Sequence, residues 1–247
     1  MTNMPEIVSA EKWQQDRDGL LKAEKEATRA LDALAARRRR LPMVKFDTSR
    51  YVFDTSAGPK TLPDLFAGQQ QLVVYQFMDN GPDEYCPGCT HFTSNVVDLA
   101  ALADNGVSWV TVSNMPLPQI EAYKARMGWT MPFVSSHGTT FADDCGASGG
   151  FMLSVFLREG EGVYRTYCAT ARGVDRLLFV NSILDLAPYG RQEDWGRFPA
   201  WLAAASHVRI GAAASPVRIG EATTRFAAKA ARPRILAEDV APWELSG

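Results

Sequence analysis

The sequence predicts an α/β protein in which strands and helices alternate before a closing hairpin and helix. Three observations lead to this fold class. Two apolar strands flank a helical segment, a later pair of strands is joined by a Gly-containing turn, and two cysteines lie between the first apolar strand and its helix. Parallel strands need helical crossovers whereas a hairpin adds antiparallel strands, so we expect a central mixed sheet flanked by helices.

The first element is a predicted helix over residues 9–40, which is rich in Ala, Leu, Glu, Lys and Arg and ends before Pro42. Its basic run at 37–40 is typical of a helix end, where cations are favoured, more than of an anion-binding patch. The apolar stripe is thin and is expected to contact the domain or a second subunit of a homodimer, through Trp13, Leu20, Leu31 and Leu34. Residues 1–45 are therefore predicted to form an N-terminal helical extension.

The rest of the alternation follows from apolar spacing and turn residues. Period-2 or continuous apolar runs predict strands, and apolar residues at helical spacing predict helices. The Gly-rich stretch 146–150 is predicted to be a loop, because it lacks the sequence context of a phosphate-binding loop. The predicted elements are an edge strand at 51–54, a short turn or helix at 61–66, strands at 72–78 and 107–113, a helix from Thr90 to the stop at 105–106, a helix at 117–127, an extended piece at 133–135, a hairpin of 152–158 with 163–167, and a helix at 174–186.

Composition limits the function classes. The chain has 247 residues, 46% hydrophobic and 22% charged, with a net charge of -2, which gives no electrostatic reason to expect nucleic acid or a membrane surface as a partner. No apolar run approaches the ~20 residues that span a bilayer, and the N-terminus lacks a secretory pattern. We expect a cytoplasmic protein with a domain at 46–200 and a peripheral C-terminal extension at 201–247. In a reducing compartment its four cysteines indicate chemistry or packing.

The most informative motif is Cys86-Pro87-Gly88-Cys89, which follows an apolar strand and opens a helix. Residues i and i+3 are neighbours on a helix, so the two thiols can close into a disulfide. So short a loop adds little stability when it closes, which favours an exchangeable pair over a structural one. The positive end of the helix favours a thiolate at Cys86, which we predict to be the nucleophile, with Cys89 as the resolving thiol.

The sequence also suggests roles for the other cysteines and for one histidine near the motif. His91 would support the Cys86 thiolate when protonated. Cys145 and Cys168 are predicted to be buried and unreactive, although they could also pair with each other or relay oxidation. A zinc site formed by the motif cysteines, His91 and one of these two is an alternative that the position of His91 does not favour. We expect no organic cofactor and no metal.

Seven ordered strings, one of which is the motif itself, occupy residues 24–30, 74–78, 86–89, 121–129, 132–136, 153–158 and 190–195. Together they resemble one known family, the bacterial domain-of-unknown-function 899 family, over about residues 7–195. Its members are labelled predicted dithiol-disulfide oxidoreductases and are grouped with thioredoxin-like proteins, near the alkyl hydroperoxide reductase and thiol-specific antioxidant group. The resemblance implies a thioredoxin-like fold, and a cellular thiol reductant or a protein disulfide as partner.

The resemblance also suggests alternatives. Thioredoxins carry a cis-proline before a later strand, whereas the corresponding place here is near Leu153, and Pro132 lies earlier. Pro82 lies at the spacing before Cys89 that peroxiredoxins use before their peroxide-attacking cysteine, which suggests a peroxidase in which Cys89 attacks and Cys86 resolves. Arg172 would then replace the arginine that polarises peroxide. A non-catalytic binding module with a redox-sensitive or zinc-binding cysteine pair is the third alternative.

Overall fold

The computed structural model describes residues 5–96 and 98–191, and these form the α/β architecture that the sequence predicts. The strands within these ranges are β1 (Val44–Phe46), β2 (Val52–Phe53), β3 (Lys60–Thr61), β4 (Gln71–Phe77), β5 (Val107–Ser113), β6 (Phe133–Ser135), β7 (Met152–Glu159) and β8 (Gly162–Ala169). The helices are α1 (Ala10–Arg38), α2 (Pro87–Ser94), α3 (Leu99–Asp104), α4 (Leu117–Met127), α5 (Phe141–Asp144) and α6 (Phe179–Leu184), with 3-10 turns at Thr48–Arg50, Pro63–Phe66 and Ala171–Leu177.

Six strands form one mixed sheet in the order β1-β8-β7-β4-β5-β6. β4 and β5 are parallel and are joined through α2 and α3, and β5 is parallel to β6. β7 is antiparallel to both β4 and β8, as the predicted hairpin requires. The sheet core β8-β7-β4-β5, with a helical crossover followed by a hairpin, is the thioredoxin-like arrangement, so the expected fold class is confirmed.

The central strand β4 separates two apolar cores. Alternate side chains of a strand point to opposite faces of its sheet. Leu72 and Val74 accordingly lie in one buried cluster, whereas Tyr75 and Phe77 lie in the other. The second cluster also contains Cys89, so the face of β4 that carries Tyr75 and Phe77 supports the predicted redox motif.

The structure divides two of the predicted helices. The segment expected to run from Thr90 to residue 105 forms α2 and α3, because Asn95 caps the end of α2 and Asp98 starts α3 in a left-handed conformation, with φ of 52°. The Asp98 carboxylate accepts the Ala101 N–H at 3.1 Å, which provides a new N-terminal cap. The segment expected at 174–186 forms the 3-10 turn at Ala171–Leu177 and then α6.

The edge strand predicted at 51–54 is shorter in the structure, and Asp54 just after it forms an isolated antiparallel bridge with Ser135 of β6, at one edge of the main sheet. β2 pairs with β3 in a separate two-stranded sheet. The other edge of the main sheet is formed by β1, which was not predicted and which pairs antiparallel with β8 from Val44 opposite Arg165 to Phe46 opposite Val163.

The helix α1 begins after Ser9, whose side chain accepts the N–H of Lys12 at 3.2 Å. None of its residues is buried. The predicted packing of α1 on the domain is not observed, because the side chains expected to make that contact are exposed. These side chains are Trp13, Leu20, Leu31 and Leu34. A contact with a second subunit through this stripe stays a prediction.

Within residues 5–96 and 98–191, every helix is too short or too polar to span a bilayer. The predicted boundaries at residues 45 and 200 stay predictions, and the extension predicted at 201–247 lies outside the described residues.

Candidate dithiol site

A tight loop connects the end of β4 to α2 and determines where the motif lies. Asp79 and Tyr85 form an antiparallel bridge across this loop, and the Asp79 carboxylate accepts the N–H of Gly81 at 2.9 Å. Gly81 has a φ of 98°, which glycine adopts without the strain of a side chain. Gln119 of α4 donates from Nε2 to the Gly81 carbonyl at 3.0 Å and ties the loop to the neighbouring helix. The chain thus reverses direction just before Cys86.

Cys86 is the N-cap residue of α2, and its sulfur accepts the backbone N–H of Cys89 at 3.3 Å. Pro87 follows at the first helical position, where its missing N–H costs no hydrogen bond. Pro87 and Gly88 are exposed, and Cys86 is half-buried. The first sulfur therefore combines solvent access with a helix N–H group directed at it, as the sequence predicts.

Cys89 differs from Cys86 in its exposure to solvent. It is fully buried, and its sulfur accepts the N–H of Met78 at 3.5 Å. Burial raises the pKa of the Cys89 thiol to about 12, although hydrogen bonds from the Met78 N–H and the Tyr75 hydroxyl oppose that rise. The proximity of Cys86 raises this pKa further. Both cysteines are free thiols, so the structure represents the dithiol form.

Aromatic side chains enclose the buried sulfur. Tyr75 of β4 stacks on Phe92, one turn after Cys89, with ring centroids 4.2 Å apart and an interplanar angle of 15°. Phe151 lies just before β7, with its ring centroid 6.2 Å from that of Tyr75. Leu153 is opposite Tyr75 within β7, and Pro132 precedes β6 at the far edge of the sheet, so Pro132 does not occupy the place before β7.

A second aromatic group holds the segment around Cys86, and the sequence did not predict its role. Tyr85 stacks on Tyr123 of α4 with centroids 3.6 Å apart, and the Arg126 guanidinium lies 4.7 Å from both ring centroids. The Tyr123 hydroxyl lies 2.6 Å from Oγ1 of Thr90. Tyr123 and Arg126 are one helical turn apart, a spacing visible in the sequence, but nothing in the sequence shows that Tyr85 is their partner.

Of the predicted supporting residues, Pro87 and Gly88 lie in the motif itself, and His91 and Arg172 lie outside it. His91 is exposed in the last turn of α2, and because residues two apart on a helix face different ways its ring points away from buried Cys89. Arg172 lies in the 3-10 turn after β8, where its guanidinium pairs with the Asp175 carboxylate at 3.6 Å. A supporting role for these two residues stays a prediction.

The remaining cysteines are free and lie in different surroundings. Cys145 is buried at the end of α5, and burial raises its pKa to about 12. Cys168 is exposed on β8, so its predicted burial is wrong. Among residues 5–96 and 98–191, no group of three His, Cys, Asp or Glu side chains is placed to hold a metal ion.

Comparison with solved structures gives distant similarities. A hypothetical protein from Sinorhizobium meliloti 1021 is 16% identical, with 54% of this chain and 78% of that chain covered and a TM-score of 0.38. The peroxidoxin BcpB from Mycobacterium tuberculosis is 16% identical, with coverages of 53% and 83% and a TM-score of 0.36. A secreted M. tuberculosis disulfide oxidoreductase homologous to E. coli DsbE is 14% identical, with coverages of 52% and 91% and a TM-score of 0.36. No residue role follows from these similarities.

No curated protein matches the chain. The family model described as "Bacterial protein of unknown function (DUF899)" matches residues 2–208, which include every element described above. This match agrees with the resemblance carried by the motif and the ordered strings around it. The chain therefore belongs to the DUF899 family of bacterial proteins.

Proposed function

We propose that this protein is a thiol-disulfide oxidoreductase that cycles between a dithiol and a disulfide at Cys86 and Cys89. The observation that carries the proposal is the asymmetry of the pair on one helical turn. Cys86 is partly exposed at the helix start and accepts an N–H bond, whereas Cys89 is sealed behind it. Thiol-disulfide exchange needs one accessible sulfur that attacks the substrate and a second sulfur that resolves the mixed disulfide. A second sulfur that is buried is protected from other reactions.

The reaction proceeds in two exchanges. The Cys86 thiolate attacks one sulfur of a substrate disulfide, a Cys86 mixed disulfide forms, and the first substrate thiol leaves. The Cys89 sulfur, having lost its proton, then attacks the Cys86 sulfur; the Cys86–Cys89 disulfide forms, and the second substrate thiol leaves with a proton. Two thiols of a cellular reductant, our proposed partner, then supply two electrons and two protons, are themselves oxidised to a disulfide, and restore the dithiol.

The peroxidase alternative requires Cys89 to meet peroxide as a thiolate. The structure offers no support for it, because Cys89 is fully buried and burial raises its pKa to about 12. The resolving attack on Cys86 also needs the Cys89 thiolate, but it needs no access from solvent, whereas peroxide must reach the sulfur that it oxidises. Cys86, which would only resolve in that scheme, is the more accessible sulfur.

Titration against a glutathione or dithiothreitol ladder tests the proposal. We expect one two-electron transition with a potential between about -270 and -120 mV, the range of exchanging dithiols. It should disappear in Cys86→Ser and in Cys89→Ser and persist in the matched control Cys168→Ser, which removes an exposed thiol outside the motif. A pair that alkylates only after denaturation, or zinc that copurifies stoichiometrically and is lost in Cys86→Ser, would instead indicate the non-catalytic module.

We propose a cytoplasmic location, and trapping in cytoplasmic extract tests the assigned roles and the class of partner. Cys89→Ser should accumulate mixed disulfides at Cys86, because the resolving sulfur is missing. Cys86→Ser should trap few partners, since Cys89 is buried. If Cys86→Ser traps more than Cys89→Ser, the two roles must be exchanged, and consumption of peroxide by Cys86→Ser at the wild-type initial rate would revive the peroxidase alternative.

A further inference from the structure

Tyr123 of α4 contacts the chain on both sides of Cys86. Its ring stacks on Tyr85, the residue before Cys86, with an interplanar angle of 12°. Its hydroxyl lies 2.6 Å from Oγ1 of Thr90, one helical turn after Cys86. One buried side chain, 4% exposed, therefore holds both ends of the segment that carries the accessible sulfur.

The hydrogen-bond chemistry determines which group donates in this contact. Oγ1 of Thr90 lies 2.9 Å from the Cys86 carbonyl oxygen, and a carbonyl oxygen can only accept. The single hydroxyl hydrogen of Thr90 is thus directed at Cys86. Oγ1 of Thr90 must then accept from Tyr123, so the chain of donors runs from Tyr123 through Thr90 to Cys86. In such a chain each bond polarises and strengthens the next.

The acceptor at the end of this chain belongs to the N-cap residue of α2. The Cys86 carbonyl also accepts the backbone N–H of Thr90 at 2.9 Å, so it has two donors. The carbonyl and the side chain of Cys86 branch from the same Cα, and fixing one limits where the other lies. The sulfur is thereby held where it accepts the Cys89 N–H at 3.3 Å, at the helix end that stabilises negative charge.

Resting on the proposed thiol-disulfide exchange, we propose that Tyr123 is a positioning residue that acts through Thr90 to hold Cys86 at the start of α2 and so favours the dithiol form of the pair. The Arg126 guanidinium supports this arrangement, because it lies 4.7 Å from the ring centroids of both Tyr85 and Tyr123 and attracts both rings. Trp129 adds a second tie, since its Nε1 donates to Oγ of Ser94 at the other end of α2, at 3.2 Å.

The test is a double-mutant cycle read as an equilibrium constant with glutathione. Tyr123→Phe keeps the stacked ring and removes only the hydroxyl, and Thr90→Val removes the group that relays it. Each single variant should shift the dithiol-disulfide equilibrium three- to tenfold toward the disulfide, which corresponds to a potential more negative by about 14 to 30 mV. The double variant should shift it no further than either single variant, because both break the same chain.

Two matched controls separate positioning from general packing. Thr90→Ser keeps the hydroxyl relay, and Tyr85→Phe keeps the stacked ring, so both should remain within twofold of the wild-type equilibrium constant. Thermal unfolding of all variants is measured in parallel, and Thr90→Val alone carries the test if Tyr123→Phe does not fold. A merely structural role would change the unfolding temperature and leave the potential in place.

Two results would overturn the inference. One is an equilibrium constant for the single variants within twofold of wild type, and the other is a double variant whose shift equals the sum of two independent shifts. Either can occur while the wild-type pair cycles normally, in which case the proposed function stands. Failure of the wild-type pair to form the disulfide in the same ladder would refute the proposed function itself.

Discussion

The rate at which Cys89 resolves the mixed disulfide should depend on the Tyr75 hydroxyl, and the variant Tyr75→Phe tests that dependence. Phenylalanine keeps the ring that stacks on Phe92 at 4.2 Å and removes only the oxygen that hydrogen-bonds Cys89. A hydrogen bond to a charged group contributes about 1.5–3 kcal/mol, and each 1.4 kcal/mol is a factor of ten. Because Cys89 must become a thiolate in order to attack, we expect the resolving step to slow at least about tenfold.

The pH dependence follows from the same contact. Burial raises the pKa of the Cys89 thiol, so only a small fraction of the molecules carries the Cys89 thiolate near neutral pH. That fraction grows about tenfold for each unit of pH until the pKa is approached. The resolving rate should therefore rise with pH between 6 and 9 in both proteins, and the Tyr75→Phe curve should lie below the wild-type curve throughout.

A single-turnover reaction measures this step directly. Cys86 is converted to a mixed disulfide with thionitrobenzoate in a Cys168→Ser background, and attack by Cys89 releases the coloured thiolate. The variant Tyr85→Phe serves as control, because it removes a tyrosine hydroxyl next to Cys86 without changing the partners of the Cys89 sulfur. Equal release rates for Tyr75→Phe and wild type, or a rate independent of pH, would refute the reasoning.

Three further predictions concern stability. Phe77→Ala should cost about 3–5 kcal/mol in denaturant unfolding, because Phe77 is fully buried beneath the motif; a loss below 1 kcal/mol would contradict that burial. Gln76→Met should be neutral or stabilising by up to about 2 kcal/mol, since the buried Oε1 of Gln76 has no hydrogen-bond partner in the described chain; a clear loss of stability would mean that this oxygen is satisfied. Burial raises the pKa of Cys145 to about 12, so the folded state holds the thiol proton more tightly than the unfolded state does. The stability that this proton contributes is present below about pH 9 and is lost toward pH 12. If Cys145→Ala loses stability over that range as steeply as wild type, this thiol is not responsible for the loss.

Local patterns predicted the regular elements well where one pattern was uninterrupted. The strand at 107–113 and the helix at 117–127 coincide with β5 and α4 because their spacing of apolar residues has a single interpretation. The break between α2 and α3 was missed because apolar residues continue at helical spacing across it. The signal was present in Asp98, a good N-cap residue, but only the conformation of the chain shows that it is used.

Contacts between distant segments could not be predicted in this way. β1 is three residues long, and its place at the sheet edge depends on pairing with β8 across more than a hundred residues of chain. Tyr123 meets Thr90 across 33 positions, and Trp129 meets Ser94 across 35. In the sequence, Tyr123 and Trp129 cannot be distinguished from aromatic residues that make no such contact, because helical spacing alone does not identify a distant partner.

By itself, the sequence determined that two cysteines share the first turn of a helix after a central strand, because that depends only on spacing, a proline at the first helical position and the strand before it. Only the tertiary structure decided that Cys89 is sealed beneath Tyr75 and Phe92, and that Tyr123 holds Cys86 through Thr90. The physical reason is that burial and hydrogen bonding depend on which distant surfaces meet. The reactivity of a thiol is set by those surroundings more than by its position in the motif.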